Sequence, residues 1–475
     1  MNNKPCIALV TCLSAFLAIS FPVFAADNEP GKTVKQLQAD ALVSDLAWDT
    51  LASLTSEVGP RMGGSDGDLL AVDWAVDNMQ KLGFDRVWKE PVTFPRWVRN
   101  HESAAVMSAE KDGKRIVVQP LAITAIGGSP SSNGTLLAEI TEFDSIEALE
   151  SASNEAVKGK IVFLSTRMRK THDGAGYGET VSNRSRGPFV AAEKGAAALL
   201  IRSVGTDNNR LPHTGMMSGS LQGPRVPSAA ISNPDADNLM LLVEKGAPVV
   251  VQLDLDVGFD GEATSYNVVG EFNGRDDSGK HILIGAHLDS WDLGTGAVDD
   301  GAGVALVMAA AKMVADLPTR PRNATRVVLY ANEEQGIYGG KEYARKHAED
   351  LSGFIVGAES DLGADRIYRL KASTLPTAQI TIDFLAHHLK ALGIVYEADK
   401  PAYGGADVGQ MRRLGMPAID LNQDASRYFD LHHTANDTLD KVNPQNLQQN
   451  LAAWVTLVFI TADSTDTFGP LPVAE

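Results

Sequence analysis

The stretch HILIGAHLDSWDLGTGAVDDGAG, residues 281–303, decides the fold. Its apolar run Ile282–Ile284 has the length and composition of a buried strand. The run delivers His287 and, two residues on, Asp289. A glycine-rich loop follows and ends in Asp299-Asp300, after which the small residues from Gly301 to Leu317 predict a helix. A histidine and carboxylates at the end of a buried strand suit a hard-to-borderline divalent cation.

Working outward, the same alternation continues to the end of the chain. Asn267–Phe272, Ile282–Ala286, Val327–Ala331, Phe354–Gly357 and Ala418–Leu421 read as strands. Gly303–Leu317, Gly340–His347, Thr377–Leu392 and Asn443–Asp463 read as helices, the last opening on an Asn443 cap and Pro444. Leu447, Leu451, Trp454, Val455 and Val458 give that helix a buried stripe. Apolar strands alternating with helices predict an α/β fold, a mixed, largely parallel sheet with helices on both faces.

Before this region, residues 27–57 carry helical apolar spacing. Gly63-Gly64-Ser65-Asp66-Gly67 matches the G-x-S-x-G nucleophile elbow, but no β-type run precedes it, so Ser65-Asp66 reads as a helix N-cap. Val87–Phe94 and Ala104–Met107 read as strands. Residues 135–256 form an α/β set of their own, with strands at Leu136–Ile140, Ile161–Leu164, Ala198–Ile201, Val226–Ile231 and Val249–Leu255. His172 and His213 lie there in glycine-rich loops and read as solvated, unless they reach a neighbouring site.

The 475 residues are 44% hydrophobic and 21% charged, room for two or three units at roughly 150 residues each. A net charge of -18 argues against nucleic acid and anionic membranes as partners. Residues 1–25 read as a signal peptide, with Lys4, an apolar stretch from Ile7 to Phe21 and small residues at its end. Export to the periplasm or the outside follows, with no membrane anchor after removal. Cys6 and Cys12 both lie in that leader, so the mature chain has no disulfide and no thiol nucleophile or ligand.

Polar residues recur at the ends of the predicted strands: His287 and Asp289, then Asn332-Glu333-Glu334, then Glu359 and Asp361, and last Asp430-Leu431-His432-His433-Thr434. In open α/β sheets ligands bind beyond those ends. Two histidines and three carboxylates, one of them bridging, give two metal ions three protein ligands each and leave room for water. A further carboxylate outside the ligand set is needed to accept a proton.

With these residues in view, the chain resembles the M28 family of metallopeptidases, and within it the plasma glutamate carboxypeptidase (carboxypeptidase Q) group. The motifs are GAHLDSWDLGTGAVDDGAG (285–303), ANEEQGIYGG (331–340), ESDLGAD (359–365), Gly404-Gly405-Ala406-Asp407 and LHHTANDTLD (431–440), with Gly59-Pro60-Arg61 upstream. AAEKGAAALLIRS (191–203) and RVPSAAIS (225–232) match an inserted protease-associated domain. The resemblance implies a zinc exopeptidase fold of the phosphorylase/hydrolase-like kind over 26–115 and 257–466, the insert over 116–256 and a tail over 467–475.

It also implies two Zn2+ per chain. His287 and Asp361 would bind one ion, Glu334 and His433 the other, and Asp299 both, with a cis peptide to Asp300. Asp289 would orient His287, and Glu333 would be the general base for a metal-bridged water. Many M28 aminopeptidases carry tyrosine before the last histidine ligand to help hold the oxyanion; here that residue is His432, which either donates a hydrogen bond or only packs. The implied activity is exopeptidase hydrolysis of short peptides or dipeptides, of aminopeptidase or dipeptidase type. Glu359, Asp407 or Asp424 could hold the substrate ammonium. The relatives' homodimers suggest a homodimer. Two rival readings are a mono-zinc glutaminyl-cyclase-like acyltransferase and a non-catalytic binding ectodomain; the intact ligand set argues against both.

Overall fold

The computed structural model describes residues 29–218 and 223–473. The leader predicted over residues 1–25 lies outside the described residues. In chain order the strands are β1 (Arg86–Met107), β2 (Val117–Leu121), β3 (Ile123–Ala125), β4 (Leu136–Phe143), β5 (Ile161–Leu164), β6 (Ala198–Arg202) and β7 (Ser228–Ile231). Then come β8 (Val250–Phe272), β9 (His281–His287), β10 (Ala324–Tyr330), β11 (Phe354–Glu359), β12 (Ile367–Ser373), β13 (Val395–Tyr396) and β14 (Ala418–Gln423). Their hydrogen-bonded order is β13-β12-β14-β11-β9-β10-β8-β4-β5-β6-β7-β3, with β1 on β8 and β2 on β1. Strands β10, β9, β11 and β14 run parallel, as do β4 to β7, while β8, β12 and β3 pair antiparallel at the margins. The mixed, mostly parallel α/β sheet predicted from the alternation is therefore present.

Strand β9 is buried along its whole length, and period two divides it between the faces. Ile282, Ile284 and Ala286 pack in a core shared with the helices Ala302–Ala315 and Pro444–Asp463. Leu283 packs on the other face with Tyr330, Tyr343 and Met411, under the helices Tyr338–His347 and Val408–Arg413. A strand covered on both faces needs apolar residues at every position, which is why its sequence shows a run rather than an alternation. Asn443 caps the helix Pro444–Asp463 by accepting from Asn446 N at 2.9 Å. That helix is buried beyond its expected stripe, yet no helix among the described residues is long and apolar enough to cross a membrane.

Two expectations change. The strands read at Val87–Phe94 and Ala104–Met107 are the ends of one strand, β1, and those at Val249–Leu255 and Asn267–Phe272 are the ends of β8. Their middles pair with each other as a two-stranded ribbon, bulged at Pro95/Trp97 and Arg99/His101. The β8 side of that ribbon is largely exposed and polar, so it carries no hydrophobic period to read. The helical stretch over 27–57 divides into Glu29–Ala41, Leu46–Ser53 and Leu54–Val58. Ser44 Oγ accepts from Leu46 N at 3.2 Å, a local bond that starts a new helix instead of continuing the old one.

Ser65 is the N-cap of the helix Asp66–Lys81, its side chain accepting from Asp68 N at 3.2 Å, and no strand precedes it. Asp68 itself is buried, accepts from Ser265 Oγ at 2.6 Å and Gly64 N at 2.8 Å, and is pushed up to about 6 by burial. A carboxyl whose folded pKa exceeds its unfolded value lowers stability as pH rises between the two values, from near 3.8 to about 6, with the full penalty above. Asp68→Asn, which can still accept from Gly64 N and donate to Ser265, should therefore raise stability at pH 8 by about 1–3 kcal/mol and change it little at pH 4. Denaturant unfolding at the two pH values checks this; equal effects at both would show that burial of the charge is not the dominant cost.

Candidate metal centre

Because β9, β10, β11 and β14 are parallel, the loops after them open on one edge of the sheet. His287 ends β9, Glu333-Glu334 follow β10, Asp361 follows β11, and His432-His433 follow β14 and the short turn Tyr428–Asp430. Asp299 returns from the loop after β9. The buried guanidinium of Arg61 shapes that loop, donating to Leu288 O, to Thr295 O at 2.6 Å and to Gly296 O at 2.8 Å. Gly296 has φ +58°, and a Cβ there would come within 2.4 Å of Ser290, so only glycine makes this corner. Asp437 then fixes the backbone of the returning segment, accepting from Val298 N at 2.6 Å and Asp299 N at 3.1 Å. The Asp299-Asp300 peptide is cis. Asp300 accepts from His287 N at 3.3 Å and Gly303 N at 3.1 Å, tying the loop to β9.

The result is one carboxylate between histidines. His287 Nε2 lies 3.2 Å from Asp299 Oδ1 and 3.6 Å from Asp361 Oδ1. His433 Nε2 lies 3.4 Å from Asp299 Oδ2 and 2.9 Å from Glu334 Oε2. Two compact groups of possible ligands share Asp299: His287, Asp299 and Asp361 in one, Asp299, His432 and His433 in the other. Each ligand-type histidine has its far nitrogen occupied. His287 Nδ1–H donates to Asp289 O at 3.1 Å, and His433 Nδ1–H donates to Thr214 O at 3.2 Å. With Nδ1 so engaged, each ring turns Nε2 toward the acids, the atom that metal ligation uses; against burial, Asp289, Asp299 and Asp361 pull His287 well above the usual imidazole range.

The electrostatics fit a cation. Burial raises Glu334 well above the usual carboxylate range, with Asp299, Glu333 and Asp289 adding repulsion against the pull of His287. Burial and the charges of Asp361, Asp289 and Asp299 do the same to Glu333, and Asp361 is raised too. Asp299 Oδ2 and Glu334 Oε1 are buried without a hydrogen-bond partner. A cluster of acids that resists ionisation and keeps orphaned oxygens is balanced by dications, which reverse the local pKa logic. Burial and His432 hold His433 well below the usual imidazole range, so this imidazole is neutral.

Asp289 does more than its sequence position suggested. Its carbonyl rather than its carboxylate makes the nearest contact to His287, and its Oδ1 and Oδ2 accept from Glu333 N at 2.9 Å and Glu334 N at 3.3 Å. His432 stacks on His433 with ring centroids 3.4 Å apart, and its Nε2 is 3.7 Å from Asp299 Oδ2. Burial pulls His432 down to about 3, so this imidazole is neutral.

The candidate ammonium acids lie outside the cleft. Glu359 accepts from Asp407 N and Val408 N, Asp407 from Gly340 N, and Asp424 from Ser426 N, and none of the three lines the cleft holding Asp299. His172 is exposed beside Asp424. His213, read as a solvated loop residue, is instead buried: Asp207 Oδ1 lies 2.7 Å from its Nε2, and its Nδ1 bonds His432 O at 2.7 Å. Together with Thr214, whose N–H donates to His433 O at 3.0 Å, it clasps the histidine pair from the 135–256 region.

The cleft over the centre measures about 280 Å³ and is lined by Asp299, Glu333, Glu334 and Asp361 and by Tyr177, Arg184 and Met216 from that same region. Tyr177 and Arg184 were not singled out by the sequence, because neither belongs to a strand-end motif.

The sequence model of Peptidase family M28 matches residues 267–458. Carboxypeptidase Q of Xenopus laevis is 32% identical over 437 residues, covering 92% of this chain and 90% of the relative. The structure of a peptidase M28 precursor from Shewanella amazonensis SB2B is 46% identical, with a TM-score of 0.89 over 93% of this chain and 99% of that one. A zinc aminopeptidase from Bacillus subtilis, 18% identical, shares the fold with a TM-score of 0.62 over 90% of this chain and 98% of its own.

Proposed function

The chain belongs to peptidase family M28 and is homologous to carboxypeptidase Q, and we propose that it is an exported di-zinc exopeptidase acting on dipeptides and other short peptides. The observation that carries this reading is the shared carboxylate, with His287 Nε2 on one oxygen of Asp299 and His433 Nε2 on the other. His287 and Asp361 would hold one ion and Glu334 and His433 the second, with Asp299 shared between them. The bound metal supplies Lewis acidity toward the scissile carbonyl and toward water.

The chain's own residues do the rest. Glu333 takes a proton from the attacking water on a carboxylate oxygen and delivers it to the leaving amine as the C–N bond breaks. Asp289 fixes its position through the Glu333 N–H. His432, neutral, donates an N–H toward the carbonyl oxygen as negative charge develops there. Tyr177, Arg184 and Met216 contribute a further wall of the cleft that bounds the substrate. The predicted leader over residues 1–25 supports export to the periplasm or beyond.

One assay panel tests the proposal: free dipeptides, amino-terminal chromogenic amides and amino-blocked peptides, before and after chelation and after zinc is restored. Hydrolysis of substrates with a free amino terminus should vanish on chelation and return with zinc. Turnover that survives complete metal removal, or cleavage confined to amino-blocked peptides, contradicts it.

A further inference from the structure

His433 takes a left-handed backbone, with φ +62°. A residue other than glycine rests there at a free-energy cost and stays only where its surroundings hold it. The conformation is set by two peptide planes, one on each side of the residue, and the inserted region grips both. His213 Nδ1–H donates to His432 O at 2.7 Å, and Thr214 N–H donates to His433 O at 3.0 Å. The same segment holds the His433 ring, whose Nδ1–H donates to Thr214 O at 3.2 Å. Backbone and ring of one proposed ligand are thus fixed by two consecutive residues from another part of the chain.

The grip is anchored in its turn. His213 is 1% exposed, and Asp207 Oδ1 lies 2.7 Å from its Nε2. Its two partners, a carbonyl and a carboxylate, are both acceptors, so the ring donates at both nitrogens. Against burial, the bond from His213 holds Asp207 below the usual carboxylate range. Asp207 Oδ2 also accepts from Asn209 N at 2.9 Å, its carbonyl accepts from Asn233 Nδ2 at 3.2 Å, and His213 N donates to Ser203 Oγ at 2.9 Å. Thr214 Oγ1 donates to Ala125 O at 2.8 Å and accepts from Arg99 Nη2 at 3.1 Å. Two glycines let the parts meet. An ideal Cβ on Gly205 would lie 2.2 Å from His213 Nε2, and one on Gly215, φ +131°, 2.7 Å from His433 Nδ1. Asp207 and His213 are not among the residues lining the cleft, so they act through the histidine pair.

We propose that Asp207, His213 and Thr214 are positioning residues for His433, so that the inserted region sets the affinity of the second metal site and leaves the first alone. This rests on the di-zinc reading above. Releasing the His432 carbonyl lets the His433 backbone relax from the left-handed region and carries Nε2 away from Asp299 Oδ2 and Glu334 Oε2, which lie 3.4 and 2.9 Å from it. The first site has no such dependence: His287 Nδ1 bonds Asp289 O, in the loop that follows its own strand.

The test is a calorimetric titration of zinc into the chelated enzyme, read as two separate affinities. His213→Gln places a donor where the ring Nε2 stands, which keeps the bond to Asp207 and loses the one to His432 O. One zinc affinity should fall by about 10–100-fold, the usual effect of removing an outer partner of a ligand, while the other stays at its wild-type value. His213→Asn combined with Asp207→Asn does the opposite. It keeps a donor at the Nδ1 position, leaves no buried charge unpaired, and should hold both affinities near wild type. In an Asp361→Ala background, which spoils the first site, the His213→Gln loss should persist; in a Glu334→Ala background, which spoils the second, it should vanish. If His213→Gln does not fold, Asp207→Ala decides, by a loss confined to one site. Equal weakening of both sites, no weakening of either, or a loss that survives Glu334→Ala overturns the proposal. A protein with a single zinc site that His213→Gln still weakens sinks the two-metal reading and leaves this clasp standing.

Discussion

Asp299→Ala should empty both metal positions and bring hydrolysis to background. Asp299 is the carboxylate that both histidine groups have in common, 3.2 Å from His287 Nε2 and 3.4 Å from His433 Nε2. Its loss leaves each ion with a histidine and one acid, too few for a zinc site that normally keeps three protein ligands. Turnover should fall by more than the ~10–100-fold that loss of an outer partner costs. The variant should still fold. Removing its charge relieves repulsion on the buried Glu334 and Glu333. Elemental analysis with circular dichroism on the same sample checks the prediction; a folded variant that retains two zinc ions and its rate would remove Asp299 from the bridge.

Glu333→Gln should separate chemistry from metal binding. Glutamine keeps the size and the backbone N–H that Asp289 holds at 2.9 Å, but cannot take a proton. Zinc content and KM should stay near wild-type values while kcat falls by ~10²–10⁴-fold, the usual contribution of a general base. An unchanged kcat would assign the proton to another group. A fall in zinc content matching the fall in rate would make Glu333 a ligand.

The strand-end chemistry was legible because each piece is local. His287 is the last residue of β9, and Glu333-Glu334 lie three and four residues after β10. Patterns of that length survive in the sequence, and so did the Ser65 and Asn443 caps. What was not legible is carried by pairings across the chain. Thr214 and His433 are 219 positions apart, and their contact sets the histidine's tautomer. Arg184 and Tyr177 sit in short helices with no period, so nothing local marks them as cleft residues. Glu359 and Asp407 looked like available acids because a sequence shows charge but not which backbone N–H groups that charge is answering. The β1–β8 ribbon was hidden because the β8 half of its middle is exposed and polar.

The central claim is two zinc ions per chain around one shared carboxylate. Titrating zinc into the fully chelated enzyme, with heat of binding and peptide hydrolysis followed together, tests it most directly. The account predicts saturation at two ions per chain, with full activity only at the second equivalent. Full activity at one equivalent with no second site, or activity with none bound, would contradict it.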